Sequence, residues 1–296
     1  MLSPEEYIEQ TYLFGTLAQR IRQLMPSQEV LQSIKDEILV TTKLPMAIDY
    51  MSAELRHSGC FAPAMAKLKH YFTPFQAYVV AEAEDERGRL DMITGLEILR
   101  REAEYRARGA SPQGVFLYQF ESLCRNRLRY DPGLLAVSQD PIFDAAWSQW
   151  ILNVRRQIGL IDLADMIYMR SEQQRIEQQR QPQEPASDDA GPPVLFGAKE
   201  GRIAWANRQK DPLLLFAALQ RQLGYPSVPR PAPPDESHQV LGQLIRRLEK
   251  FEQRLKLVEE EQRGGIQIDR FFKHPEIAQR MDEALNPNVT RNPELE

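Results

Sequence analysis

At 296 residues, with 42% hydrophobic and 27% charged side chains, the chain has the composition of a soluble globular protein, one large domain or two ordinary ones, able to bury a core without disulfide or metal staples. Its net charge of −5 argues against a general binder of nucleic acid or of anionic membranes. Yet 28 of its 37 basic residues are Arg, the side chain best suited to bidentate carboxylate and phosphate contacts. Cys60 and Cys124 lie far apart and His57, His70, His238 and His274 are scattered, so neither a disulfide framework nor a zinc spacing is present and no cofactor is expected.

Residues 1–178 read as an irregular helical bundle of seven or eight helices. Ser3-Pro4-Glu5-Glu6 has the form of a capping box, and an opening this acidic is unlike a secretory signal. Ser27 opens a second helix with Val30, Leu31, Ile34 and Ile38 on one face; Pro45 interrupts it, and a third helix ends at Gly59. Thr73-Pro74, Ser111-Pro112 and Asp140-Pro141 each pair a capping side chain with a first-turn proline, and Gly109 and Gly133 stand where helices should stop. Val115-Phe116-Leu117-Tyr118 comes nearest to a strand, but the preceding cap and the later Leu123 and Leu128 favour helix.

The composition then turns polar and proline-rich, and 179–193 reads as a flexible linker. Residues 194–224 read as a docking segment: a small hairpin of Val194-Leu195-Phe196 with Arg202-Ile203-Ala204-Trp205, then a helix capped by Asp211 and ended by Gly224. The longest apolar run, Leu213 to Leu219, falls far short of the ~20 residues that span a bilayer, so no membrane association and a cytoplasmic location are expected. Five prolines make 225–236 a semi-rigid spacer, and 264–296 reads as a short helix with a disordered tail.

Between them, 237–263 carries the clearest pattern in the chain. Leu241, Leu244, Leu248, Phe251, Leu255 and Val258 are spaced 3, 4, 3, 4, 3, an average of 3.5 residues, which draws one apolar stripe along a coiled-coil helix. Parallel pairing sets Arg247 beside Glu252 and Arg254 beside Glu259 of a second chain, whereas antiparallel pairing tends to oppose like charges. The stripe therefore points to a parallel homodimer, but because it covers fewer than three full heptads, packing on its own chain and pairing with a different partner helix are the alternatives.

Local signals for chemistry are thin. Glu54-Leu55-Arg56-His57 places a Glu-x-x-His on one helical face, the motif that di-metal bundles use twice. Glu82, Asp85 and Glu86 share another face and are acidic enough to suggest a divalent cation, but Arg87 and Arg89 beside them suggest ion pairing instead. Residues 100–129 hold seven Arg against three Glu; within them Arg125, Arg127 and Arg129, with Tyr118, Phe120 and Tyr130 nearby, form the best candidate for phosphate contact. No glycine-rich phosphate loop and no Gly-x-Ser-x-Gly occurs. The sequence is thus expected to encode an all-α, non-catalytic protein–protein interaction or assembly protein that self-associates through its coiled coil. The alternatives are an enzyme or ligand binder using the bundle's carboxylates and His, and a nucleic-acid accessory protein using the Arg patch.

Overall fold

A computed structural model describes residues 2–85, 90–180 and 192–231. The heptad stripe, Glu86, the middle of the linker and everything past Pro231 lie outside the described residues. The described residues form thirteen α-helices and no β-strand, so the fold is all-α. The first six helices are α1 (Pro4–Arg22), α2 (Ser27–Glu37), α3 (Leu44–Ser58), α4 (Ala62–Lys67), α5 (Pro74–Glu84) and α6 (Met92–Ala107). Next come α7 (Pro112–Arg125), α8 (Tyr130–Ser138), α9 (Ala145–Gln157), α10 (Leu163–Tyr168) and α11 (Glu172–Arg180), then α12 (Ala198–Ala206) and α13 (Pro212–Leu223).

The described residues before 181 form eleven helices, not seven or eight; two of the extra ones, near Pro63 and after Asp162, have six residues each, too short a run for periodicity to reveal. Several start signals work as their chemistry requires. Thr73 and Gln76 close a reciprocal capping box on α5, and Ser111 accepts from the Gly114 N–H at the start of α7. Ser3 does precede α1 but makes no side-chain cap; the Glu6 carboxylate accepts instead from the Lys43 N–H, tying α1 to the start of α3. Gly59 ends α3 in the left-handed conformation, φ 75°, where a Cβ is disfavoured. Gly133 stops nothing: it sits in the first turns of α8, where a Cβ would lie 2.7 Å from Leu123 and 3.1 Å from Tyr78. Asp140 caps no helix either; Asp144 caps α9, and Asp140 turns inward.

The core is organised around α7, whose residues Gly114 to Leu123 are all buried. Val115–Tyr118, the run closest to a strand pattern, is therefore apolar on every face because it is central, not because it alternates. α1 lies along α6, α8 packs on α5, α7 and α9, and α13 packs on α7.

The docking segment contains no hairpin. Ala198–Ala206 is helix α12, and Phe196 is the anchor: its ring meets Trp147 and Trp150 edge-on at 5.1 and 5.2 Å, while Trp150 meets Phe116 at 4.8 Å. The Arg170 carbonyl accepts from the Leu195 and Phe196 N–H groups, so one short stretch is fixed by both backbone and ring. Residues 225–231, the described part of the expected spacer, form a strap on the bundle. Tyr225 and Val228 are buried, Arg101 donates to the Ser227 carbonyl at 2.7 Å, and Asn126 donates to that of Pro229 at 3.2 Å. Proline supplies stiffness here, and the residues between the prolines supply the contacts.

Candidate functional site

The described residues singled out for chemistry are spread over the bundle, and Glu54, Glu82, Asp85, Arg125 and Arg129 are engaged in ion pairs. Both carboxylate oxygens of Glu54 accept from the Lys67 Nζ at 3.0 Å, while His57 is exposed at the C-terminal end of α3. Glu82 accepts from the Arg129 Nε at 2.7 Å, and Asp85 lies 3.7 Å from the same guanidinium. The described residues contain no group of three or more His, Cys, Asp or Glu that could hold a metal ion. Arg125 pairs with Glu121 on its own helix, Arg129 with α5, and exposed Arg127 lies at φ 53° in the turn between α7 and α8. Tyr118 and Phe120, the nearby rings, are buried; the Tyr118 hydroxyl donates to the Ile98 carbonyl at 2.8 Å, and burial pushes its pKa far up. Among the described residues no helix is long and apolar enough to cross a membrane.

The surface also carries an apolar groove. Helices α4, α5 and α8 enclose an open groove of about 710 Å³. Its floor follows from spacing: Ala62 and Ala66 on α4 and Ala77 and Ala81 on α5 are pairs four residues apart, so each helix turns a small-residue row towards the furrow. Pro63, Pro74, Pro132 and Pro141 add apolar walls, and Leu135, 38% exposed, stands on the α8 side. Among the described residues Lys69 is the single charged one in its lining. The Tyr78 phenol also lines it and donates to the Arg129 carbonyl at 2.8 Å; burial first, then the Glu82 charge, raises its pKa, so it remains a neutral hydrogen-bonding group.

Two smaller concavities differ in kind. One of about 420 Å³ is walled by Arg100, Arg101 and Arg108, but Arg100 pairs with Glu97 and Glu104, Arg108 pairs with Glu104, and Arg101 holds the strap. Another of about 410 Å³, beside α13, includes Cys124, whose thiol burial pushes up to about 11; it is protonated and a poor nucleophile at neutral pH.

A buried polar cluster joins α6 and α7 to Asp140, the residue between Gln139 and Pro141 of the groove's lining. Arg106 donates through Nε at 3.2 Å and Nη2 at 2.8 Å to the Glu102 Oε1, and through Nη1 at 3.2 Å to the Asp140 Oδ1. It also bonds the Asp140 Oδ2. The Gln119 Nε2 donates to both carboxylates, at 2.7 Å to Glu102 and 3.0 Å to Asp140. The Arg106 guanidinium lies 5.9 Å from the Tyr7 ring centroid. Burial opposes the Arg106 charge, but its acidic surroundings, Asp140 foremost, raise its pKa.

Neither the groove nor the cluster was apparent from local motifs. The cluster had one legible sign: Leu96, Leu99, Ala103 and Arg106 share the 3, 4, 3 apolar stripe of α6, which puts that Arg on the inward face. The groove had none, since alanine rows mark core faces as often as furrows. Comparison with protein-family models, with curated proteins and with solved structures finds no match for this chain.

Proposed function

We propose that this chain is a non-catalytic interaction and assembly protein whose helical unit receives an amphipathic helix of a protein partner in the α4–α5–α8 groove. The observation that carries the reading is the groove itself: an alanine floor on two helices, apolar walls and one cation. A floor without side chains beyond Cβ admits the backbone of an incoming helix at close range, the helix-in-groove mode of recognition. Lys69 selects an acidic residue beside the partner's apolar stripe, because unlike charges at a rim set orientation. Selection from a displayed library of amphipathic helices against the full-length protein is expected to enrich an apolar i, i+3/i+4 stripe flanked by Asp or Glu. Ala66→Trp with Ala81→Trp, both at exposed floor positions, is expected to abolish that binding. No enrichment, or binders indifferent to the filled groove, overturns the reading.

The assembly half of the proposal rests on the heptad stripe from Leu241 to Val258, which supplies the apolar seam and the Arg–Glu pairs of a parallel dimer. Native mass spectrometry of the full chain is expected to give twice 34.2 kDa. Leu248→Lys with Phe251→Lys is expected to give the monomer with the circular dichroism of the bundle retained. A monomeric wild type, or a double variant that still dimerises, refutes self-association through this seam.

A further inference from the structure

The Glu102–Arg106–Gln119–Asp140 cluster has an imbalance in both charge and hydrogen bonding. All four side chains are buried, and two carboxylates face one guanidinium. Asp140 is fully engaged: its Oδ1 accepts from Arg106 and the Ile142 N–H, and its Oδ2 from Arg106 and Gln119. Glu102 is not. Its Oε1 accepts three donors, two from Arg106 and one from Gln119, while its Oε2 has no hydrogen-bond partner among the described residues. The Gln119 Oε1, on the amide already bonded to Glu102, likewise has none. Two acceptors without a donor belong to two groups that are already joined.

We propose that Glu102 is a neutral carboxylic acid at neutral pH, its proton on Oε2 donated to the Gln119 Oε1. This closes an acid–amide ring whose other half is the existing 2.7 Å bond from the Gln119 Nε2 to the Glu102 Oε1. The second Nε2 hydrogen of Gln119 remains for Asp140. The cluster then holds one guanidinium, one carboxylate and one acid, and is electrically neutral. An unbalanced charge inside a protein shifts its protonation rather than persist. The groups that face Glu102 agree: Arg106 on its own helix, Gln119 and Tyr118 from α7, with Arg100 and Arg101 acting on Tyr118, and Asp140 after α8; Arg106 is the cation hydrogen-bonded to Glu102, and Asp140 already claims it. Burial first, and the Asp140 charge after it, raise the Glu102 pKa against the pull of Arg106 and Gln119.

For stability the sign follows from proton binding: the folded chain holds this proton more tightly than the unfolded chain, so stability falls as pH rises from the ordinary carboxyl range towards the raised value and levels off above it.

The test is the infrared spectrum of the folded full-length protein at neutral pH, wild type minus Glu102→Gln. A protonated-carboxyl C=O stretch present in the wild type and absent from the variant is expected. Urea unfolding from about pH 5 to about pH 9 is expected to show a fall in stability that Glu102→Gln, an isostere that keeps both hydrogen bonds of the ring, lacks. Should that variant fail to fold, carbon-13 detection of the glutamate carboxyls in the wild type gives the same answer: one Glu with the shift of a neutral acid. A fully ionised set of Glu carboxyls in the folded wild type, as a buried water bridging Oε2 would leave it, overturns the proposal.

Discussion

Arg106 and the Arg125–Arg129 group stand within one short stretch of strongly basic sequence and have opposite fates. Arg106 is sealed in the core, where four of its donor contacts fall on two carboxylates and its stem packs with the α6 stripe. Arg129 is 64% exposed at its side chain and bonds carboxylates at the edge of α5, and Arg127 is exposed in a turn. Residue type and local charge density are the same in both places. What differs is the helix face on which each Arg falls. A charge on an apolar stripe must bring its partners into the core, because unpaired burial costs several kcal/mol per ion, whereas a charge on the outer face takes partners where it finds them.

Breaking the inner region should therefore have the largest effect. Arg106→Met keeps much of the stem's volume but strands Glu102, Gln119 and Asp140 together with no cation. Urea unfolding is expected to show a loss of ~3–5 kcal/mol, the range for a buried pair that loses one partner. The loss should shrink when Asp140→Asn is combined with it, because the stranded charge goes too; strict additivity would mean that the two residues do not act as one network. An intermediate case sharpens the comparison. Thr73 is buried but neutral, and its hydroxyl serves only the Gln76 N–H at the start of α5. Thr73→Ala is expected to cost ~1 kcal/mol, the usual worth of an N-cap, in the same assay.

The same distinction decides how much of the molecule was legible in the sequence. Features carried by neighbouring residues could be read: the all-α class, the caps at Thr73 and Ser111, the stops at Gly59 and Gly224, and the helical character of the apolar run at Val115. Features carried by distant residues misled. Asp140-Pro141 has the local form of a cap, but Arg106, 34 positions earlier, claims the carboxylate. Ser3 has the local form of a capping box, but Glu6 turns to Lys43. Gly133 looks like a stop until Leu123 and Tyr78 are seen beside it. Residues 198–206 look like the second half of a hairpin, yet Phe196 already has its partners in Trp147 and Trp150, so no strand pairing is needed and Ala198–Ala206 follows its helical preference. The groove is the extreme case, since it exists only where alanine rows from two helices and prolines from three segments meet.

The smallest effect belongs to the outer face. Arg155 on α9 donates through Nε at 2.7 Å and Nη2 at 2.8 Å to the two oxygens of Asp131, a bidentate pair as regular in geometry as the buried one. Asp131 is 74% exposed, so water and salt compete for every bond in it. Arg155→Gln is expected to leave the urea midpoint at neutral pH unchanged within measurement. Its trace should appear only in acid. The hydrogen bond from Arg155 holds the Asp131 carboxyl below its ordinary value, so the pair's contribution is present above the unfolded-state pKa and is lost as pH falls through the lowered folded one. The variant lacks that limb, and added salt should erase the difference between the two proteins. A neutral-pH loss comparable to that of Arg106→Met would mean that pairing geometry, rather than burial, sets the worth of an Arg–carboxylate contact in this chain.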